Sequence, residues 1–157
     1  GIHRPPSPAE QEKILGPAAG MFEGRIFLHD SDDDKRLVRV GVTRSGHEVR
    51  INRLAAEADR LILTGAATYH YHAGFGGGRK SLVPGLAGRD TIAFNHSLTL
   101  DPDKDRIRAG VEPGRLDGNP VANDWDQWAD AMTNGQWEDV FTACMKLTND
   151  PEPVFPR

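Results

Sequence analysis

Residues 67–98 read ATYHYHAGFGGGRKSLVPGLAGRDTIAFNHSL, and they hold most of the side chains that could do chemistry. His70, His72 and His96, half of the chain's six histidines, flank the glycine run Gly76, Gly77 and Gly78 and the amine of Lys80. Imidazole moves protons near neutral pH and binds borderline metals through nitrogen. An extended backbone would place His70 and His72, two apart, on one face. Two readings stay open for these histidines: hydrogen-bonded structural residues, or members of one site. The glycines also have two readings, a flexible hinge or a stretch whose backbone N–H groups approach an anion closely. A strand–loop–helix layout would further aim a helix N-terminus at such an anion. Neither the P-loop nor the dinucleotide fingerprint is present. Counted from Gly74, the P-loop glycine before the lysine falls on Arg79, and the third glycine of a dinucleotide fingerprint falls on Arg79 counted from Gly74 or on Ser81 counted from Gly76. No cysteine or second carboxylate stands at zinc-ligand spacing, which argues against a closed structural zinc site.

The elements that must position these residues follow from local signals. SPAEQEKILG predicts a short helix with Ser7 as N-cap, Pro8 in the first turn, Glu10 as capping-box partner and Gly16 as its stop. GRIFLHD reads as a strand. SDDDK reads as a solvated turn, because Asp32, Asp33 and Asp34 lack the alternating ligands of a calcium loop. LVRVGVTRSGHEVRIN alternates apolar and polar residues around Ser45-Gly46 and predicts a hairpin with a two-residue turn, leaving His47 exposed. Asn52 caps a short helix in NRLAAEAD, and RLILTGA predicts a buried strand. RKSLVPGLAG reads as a helix interrupted at Pro84, and DTIAFNH as a second short strand ending at His96. NDWDQWADAMTN has helical spacing, with its tryptophans as core and Asn123 or Asp124 as cap. The tail EDVFTACMKLTNDPEPVFPR reads as strand, turn and strand. The mixture predicts one α/β domain over residues 1–157, with ligands gathered at strand ends.

Composition narrows the function classes. The 157 residues suffice for one core, and 38% apolar with 27% charged residues suits a water-soluble globule. A net charge of −4 without a basic run argues against a nucleic-acid partner. No apolar run approaches the roughly 20 residues that span a bilayer, so no membrane partner is expected. Cys144 is the lone cysteine and excludes an intrachain disulfide, which makes a reducing, cytoplasmic setting the expectation.

Taken together, GIHRPPSPAE, YHYHAGFGGGRKSLVPGLAGRDTIAFNHSL and LDGNPV closely resemble the nickel-pincer-nucleotide lactate racemases and related 2-hydroxy-acid racemases and epimerases. The family order is Gly-x-His-Arg, then His, Gly-Phe-x-Gly-Gly-x-Lys, Pro-Gly-x-x-Gly, Asn-His and Gly-Asn-Pro-Val. This chain carries all of them in that order. The resemblance implies a Rossmann-like, three-layer, cofactor-carrying domain with a mixed sheet and flanking helices. It implies that Lys80 binds a nickel-pincer nucleotide, a pyridinium thioamide/thiocarboxylate mononucleotide holding Ni(II), through a covalent thioamide bond. His96 would be the protein ligand to nickel, and Gly76, Gly77 and Gly78 would let the chain pass close to the mononucleotide. His3 and His70 would be the two proton-transfer groups, one on each face of a small 2-hydroxy-acid substrate that passes through a 2-keto acid. Cofactor-synthesis enzymes would be the maturation partners.

The chain departs from the family pattern at His72, where an aromatic such as Phe is expected, and at Gly76, where Ser is common. The resemblance also leads one to expect an upstream Asp-x-Thr-Arg-Pro segment and a C-terminal domain, neither within these residues. The sequence thus reads as the central part of the cofactor-carrying domain, its start as a cut, with little turnover expected of it alone. The alternative function is a non-catalytic nucleotide- or phosphate-binding fragment of such an enzyme. A metal-dependent hydrolase is a distant third, since no carboxylate pair or His-Glu-x-x-His helix is present.

Overall fold

A computed structural model describes residues 1–43 and 45–124. The first helix, α1 (Pro8–Leu15), forms as its signals predict. Ser7 accepts from the Glu10 amide, the Glu10 carboxylate accepts from the Ser7 amide, and Gly16 closes the helix at φ 53°. A one-turn helix, α2 (Ala18–Met21), follows. A 3₁₀ turn over Asp34–Arg36 then leads into strand β1 (Leu37–Val42), which pairs antiparallel with β2 (Glu48–Asn52).

The predicted hairpin is present, but its connection is longer than the two residues expected. Thr43 donates to the His47 carbonyl at 2.8 Å, Gly46 donates to the Thr43 carbonyl at 2.9 Å, and Gly46 takes positive φ (83°). A two-residue type I′ turn needs positive φ at both central positions, which Ser45 resists, whereas a longer loop needs one left-handed glycine. His47 is also not exposed: its ring stacks on Phe94 with centroids 4.2 Å apart and planes 2° apart.

Asn52 ends β2 and caps α3 (Arg53–Ala56) by accepting from the Leu54 amide, as predicted. Segment 86–88 lies along the other edge of β2. Asn52 donates to Leu86, Gly88 donates to Arg50, and Ile51 bridges Ala87 between them. A second two-stranded sheet joins β3 (Tyr69–His70) to β4 (Gly74–Phe75). A 3₁₀ turn over Gly78–Ser81 and the cis Val83–Pro84 bond carry the chain to α4 (Arg89–Ser97).

Three expected elements differ. The stretch DTIAFNH is helix α4, not a strand, because burial falls on Thr91, Ile92 and Asn95 at helical spacing and Asp90 sits in the first turn. A short apolar run cannot distinguish the two by periodicity alone. RKSLVPGLAG is a 3₁₀ turn and bends rather than a kinked helix. Segments 24–30 and 60–66 run without ladder partners among the described residues, and Phe27 and Ile62 are 62% and 90% exposed, so neither is the strand expected. The mixed α and β character holds, with the β structure of the described residues confined to two small antiparallel sheets. Without pairing at 24–30 and 60–66, the three layers implied by the resemblance are not assembled among those residues.

The core packs Val49 and Ile51 of β2 with Leu82, Val83 and Ala87, Ile92 of α4, and Val121. Val121 belongs to a helical turn over 120–124 whose N-cap is Asn119. The Asn119 Oδ1 accepts from the Val121 and Ala122 amides, and Pro120 occupies the first helical position. The helix therefore starts ahead of the predicted Asn123 or Asp124. The remainder of NDWDQWADAMTN and the whole C-terminal reading lie outside the described residues.

Candidate functional site

The β3–β4 turn is built on an imidazole. His70 Nδ1 accepts from the backbone amides of His72 (3.4 Å) and Ala73 (3.2 Å), closing the 71–73 turn. With Nδ1 as acceptor, the neutral ring carries its proton on Nε2. Residues 70 and 72 share a tight turn here rather than one face of an extended strand, yet their rings still meet, with centroids 4.4 Å apart. On the other side, the His72 ring lies 5.0 Å from that of His96, which sits in the last turn of α4. His72 thus stands between His70 and His96. It is only 7% exposed, and its Nε2 is shielded from water with no hydrogen-bond partner among the described residues.

Long-range polar contacts hold this arrangement. Asn119 Nδ2 donates to the His72 carbonyl at 3.0 Å and to the Arg115 carbonyl at 3.1 Å. Asn95, next to His96 and fully buried, donates to the Val121 carbonyl and to Asp124, both at 3.1 Å. The two asparagines therefore tie the His72 turn and α4 to the same helical turn at 120–124.

Lys80 lies in the 3₁₀ turn beyond the glycine run and is partly buried. Burial lowers its ammonium from the usual lysine range to about 8, so far more of it is free amine near neutral pH than of an ordinary lysine, although the ammonium still predominates. Burial lowers His70 to about 4, assisted by the charges of Lys80 and His96. His72 falls to about 4 as well, through burial and then His70, His96 and Lys80. His96 is lowered by burial, then by Lys80 and His3. His3 is exposed, and its charge reaches His96. Neutral imidazoles offer lone pairs, which suits both metal ligation and proton acceptance.

The glycine run has a packing reason of its own. Gly74 and Gly77 have φ of 77° and 76°. A Cβ on Gly74 would stand 2.1 Å from the Arg115 carbonyl oxygen, and one on Gly77 would stand 2.7 Å from that of Ala66. Gly76 donates to the Thr68 carbonyl at 2.7 Å, and its missing Cβ would meet Thr68 Oγ1 at 3.1 Å. Gly76 and Gly77 are pressed against residues 66–68, and at Gly77 the positive φ and the Ala66 carbonyl together require glycine whether or not an anion binds. Cavities of about 350 and 290 Å³ lie elsewhere, the first lined by residues 100–106 and the second by residues including His47, Arg50 and Arg89. The imidazole group lines neither of them.

The sequence reading missed the cap at Asn119, although Asn-Pro before an apolar residue is a legible start signal. It noted His72 without placing it, since burial between two other rings has no local signature.

Residues 1–107 match the lactate racemase N-terminal domain. The chain belongs to the lactate racemase family. It is 44% identical over 97 residues to the lactate racemase of Lactiplantibacillus plantarum, covering 62% of this chain and 23% of that protein. It is 35% identical over 125 residues to the lactate racemase of Thermoanaerobacterium thermosaccharolyticum, covering 79% of this chain and 28% of that protein. The solved lactate racemase apoprotein from Thermoanaerobacterium thermosaccharolyticum superposes with a TM-score of 0.71 at 32% identity, over 84% of this chain and 30% of that one. The chain thus spans about a quarter of the length of the curated family members it matches. No helix among the described residues is long and apolar enough to cross a membrane.

Proposed function

We propose that this chain is the cofactor-carrying part of a 2-hydroxy-acid racemase or epimerase. The observation that supports this reading is the grouping of His70, His72 and His96 rings, 4.4 and 5.0 Å apart in succession, under the charge of Lys80. The donor set suits a nickel-pincer nucleotide. Lys80, with its lowered basicity, is an amine able to form a covalent amide-type bond, and His96 is a neutral imidazole able to ligate Ni(II). When bound, that group would supply the acceptance and return of a hydride.

The protein's own residues would manage the proton. His70, carrying its proton on Nε2, would hold the substrate oxygen by hydrogen bond. His3, on the exposed side, would take up the hydroxyl proton of one enantiomer as the 2-keto acid forms. To act on the other face, His70 would first take a second proton at Nδ1, releasing the amides of His72 and Ala73. This imidazolium would give its Nε2 proton to the oxygen of the other enantiomer and be left neutral while His3 is left protonated. The reverse reaction would run the same transfers backwards. Proton transfer by a positioned histidine contributes about 10²–10⁴-fold.

Co-expression with the cofactor-synthesis enzymes, followed by intact-mass analysis and nickel quantification, tests the assignment. A mass adduct lost in Lys80→Ala and nickel lost in His96→Ala are expected. Unmodified, nickel-free protein from cells that load a known family member would overturn it.

A further inference from the structure

His96, the imidazole assigned to nickel, stands in the last turn of α4, where helices fray unless something holds them. Three contacts hold that turn. The Phe94 ring stacks on His47 with centroids 4.2 Å apart, and the His96 ring lies 5.0 Å from that of His72. Between them Asn95 donates through Nδ2 to the Val121 carbonyl and to Asp124 Oδ2, each at 3.1 Å. Asn95 Oδ1 has no partner among the described residues, so the side-chain grip runs through that NH₂ group. Successive helical residues point about 100° apart, so the direction fixed at Asn95 sets that of His96. Asp124 is the costly member of this set. It is buried, and a buried carboxyl costs stability that an apolar side chain of the same size would not. We infer that Asp124 is a positioning residue that, through Asn95, aims the His96 imidazole at the nickel.

The inference rests on the racemase reading and adds a residue to its metal site. His96 is only partly buried, whereas Asn95 and Asp124 act from the buried side of α4. The pair therefore bears on the ring through the helix, not by touching what the ring binds. Groups that orient a metal-ligating histidine are part of the metal's affinity even though they never contact it. Removing the Asp124 acceptor leaves one Asn95 proton buried and unpaired, and the last turn is then held on that side by the Val121 carbonyl alone.

The test measures nickel retained against a competing chelator by the chain matured by co-expression. Asp124→Leu keeps the buried volume and removes the acceptor, and Asp124→Ala repeats the deletion without the branched side chain. Both should hold nickel about 10–100-fold more weakly while still forming the Lys80 adduct. Asp124→Asn keeps an oxygen that accepts from Asn95 and should stay near wild type. Asn52→Ala, which removes the α3 cap and the bond to His29, is destabilised away from the last turn of α4 and should keep its nickel. A second readout needs no nickel: in histidine-labelled NMR of the unloaded chain, the His96 ring resonances should move in Asp124→Leu and those of His29 should not. Nickel retention unchanged in Asp124→Leu, an equal loss in Asp124→Asn or in Asn52→Ala, or unmoved His96 resonances overturns the inference. If any of these occurs while wild type carries nickel and the Lys80 adduct, only this inference falls. A wild type with neither removes the racemase reading with it.

Discussion

Replacing Asn119 by alanine removes four hydrogen bonds at a fully buried position, and the loss separates into two parts. Losing the cap of the 120–124 turn costs about 1 kcal/mol. Leaving the His72 and Arg115 carbonyls without their donor adds about 1–3 kcal/mol. The sum, about 2–4 kcal/mol, is a large share of the roughly 5–15 kcal/mol that holds a typical domain together. For a chain of this size it lowers the melting temperature by about 5–15 °C. Asn119→Asp separates the two parts. Aspartate is as good a cap as asparagine, but its second oxygen would face the two carbonyls with no proton to give. Thermal and urea unfolding followed by circular dichroism, at pH 7, should rank wild type above both variants, with the aspartate destabilised although its cap is intact. An Asn119→Asp protein as stable as wild type would show that the bond to the His72 carbonyl contributes nothing and that Asn119 is only a cap.

Further outcomes follow from the same contacts. Gly77→Ala should destabilise by about 1–3 kcal/mol in denaturant unfolding, because φ is 76° and the added Cβ meets the Ala66 carbonyl. His70 and His72 are lowered from the ordinary 6.5 to about 4. The unfolded chain thus binds more protons between those values, and stability should fall as pH drops from 6.5 toward 4; a flat profile over that window contradicts the burial argument. Lys80 at about 8 should acylate faster near pH 8 than the exposed lysines, as read by mass-spectrometric mapping at limiting reagent. Ser7→Ala should fray α1 at a local cost of about 1 kcal/mol and leave the His70, His72 and His96 resonances unmoved.

Features held by neighbouring residues were readable from the order of amino acids. The Ser7–Glu10 capping box and the Asn52 cap depend on partners within a few positions and formed as expected, and the pairing of β1 with β2 was readable although its turn is longer than the two residues predicted. The grouping of chemically capable residues around positions 70–96 was readable too, because motif order survives without knowledge of the fold. What the order could not state is where an apolar run finds its partner. DTIAFNH became a helix because Ile92 and Asn95 face the core and residues 121–124, contacts across about 30 positions that leave no local trace. Segments 24–30 and 60–66 have strand-like composition, but a strand exists only when another backbone supplies its hydrogen bonds. His72 could be read as an odd substitution, never as a buried ring between His70 and His96. That placement comes from Asn119 and Asn95, each holding one side of the cluster to the same distant helical turn, and distance along the chain says nothing about such closure.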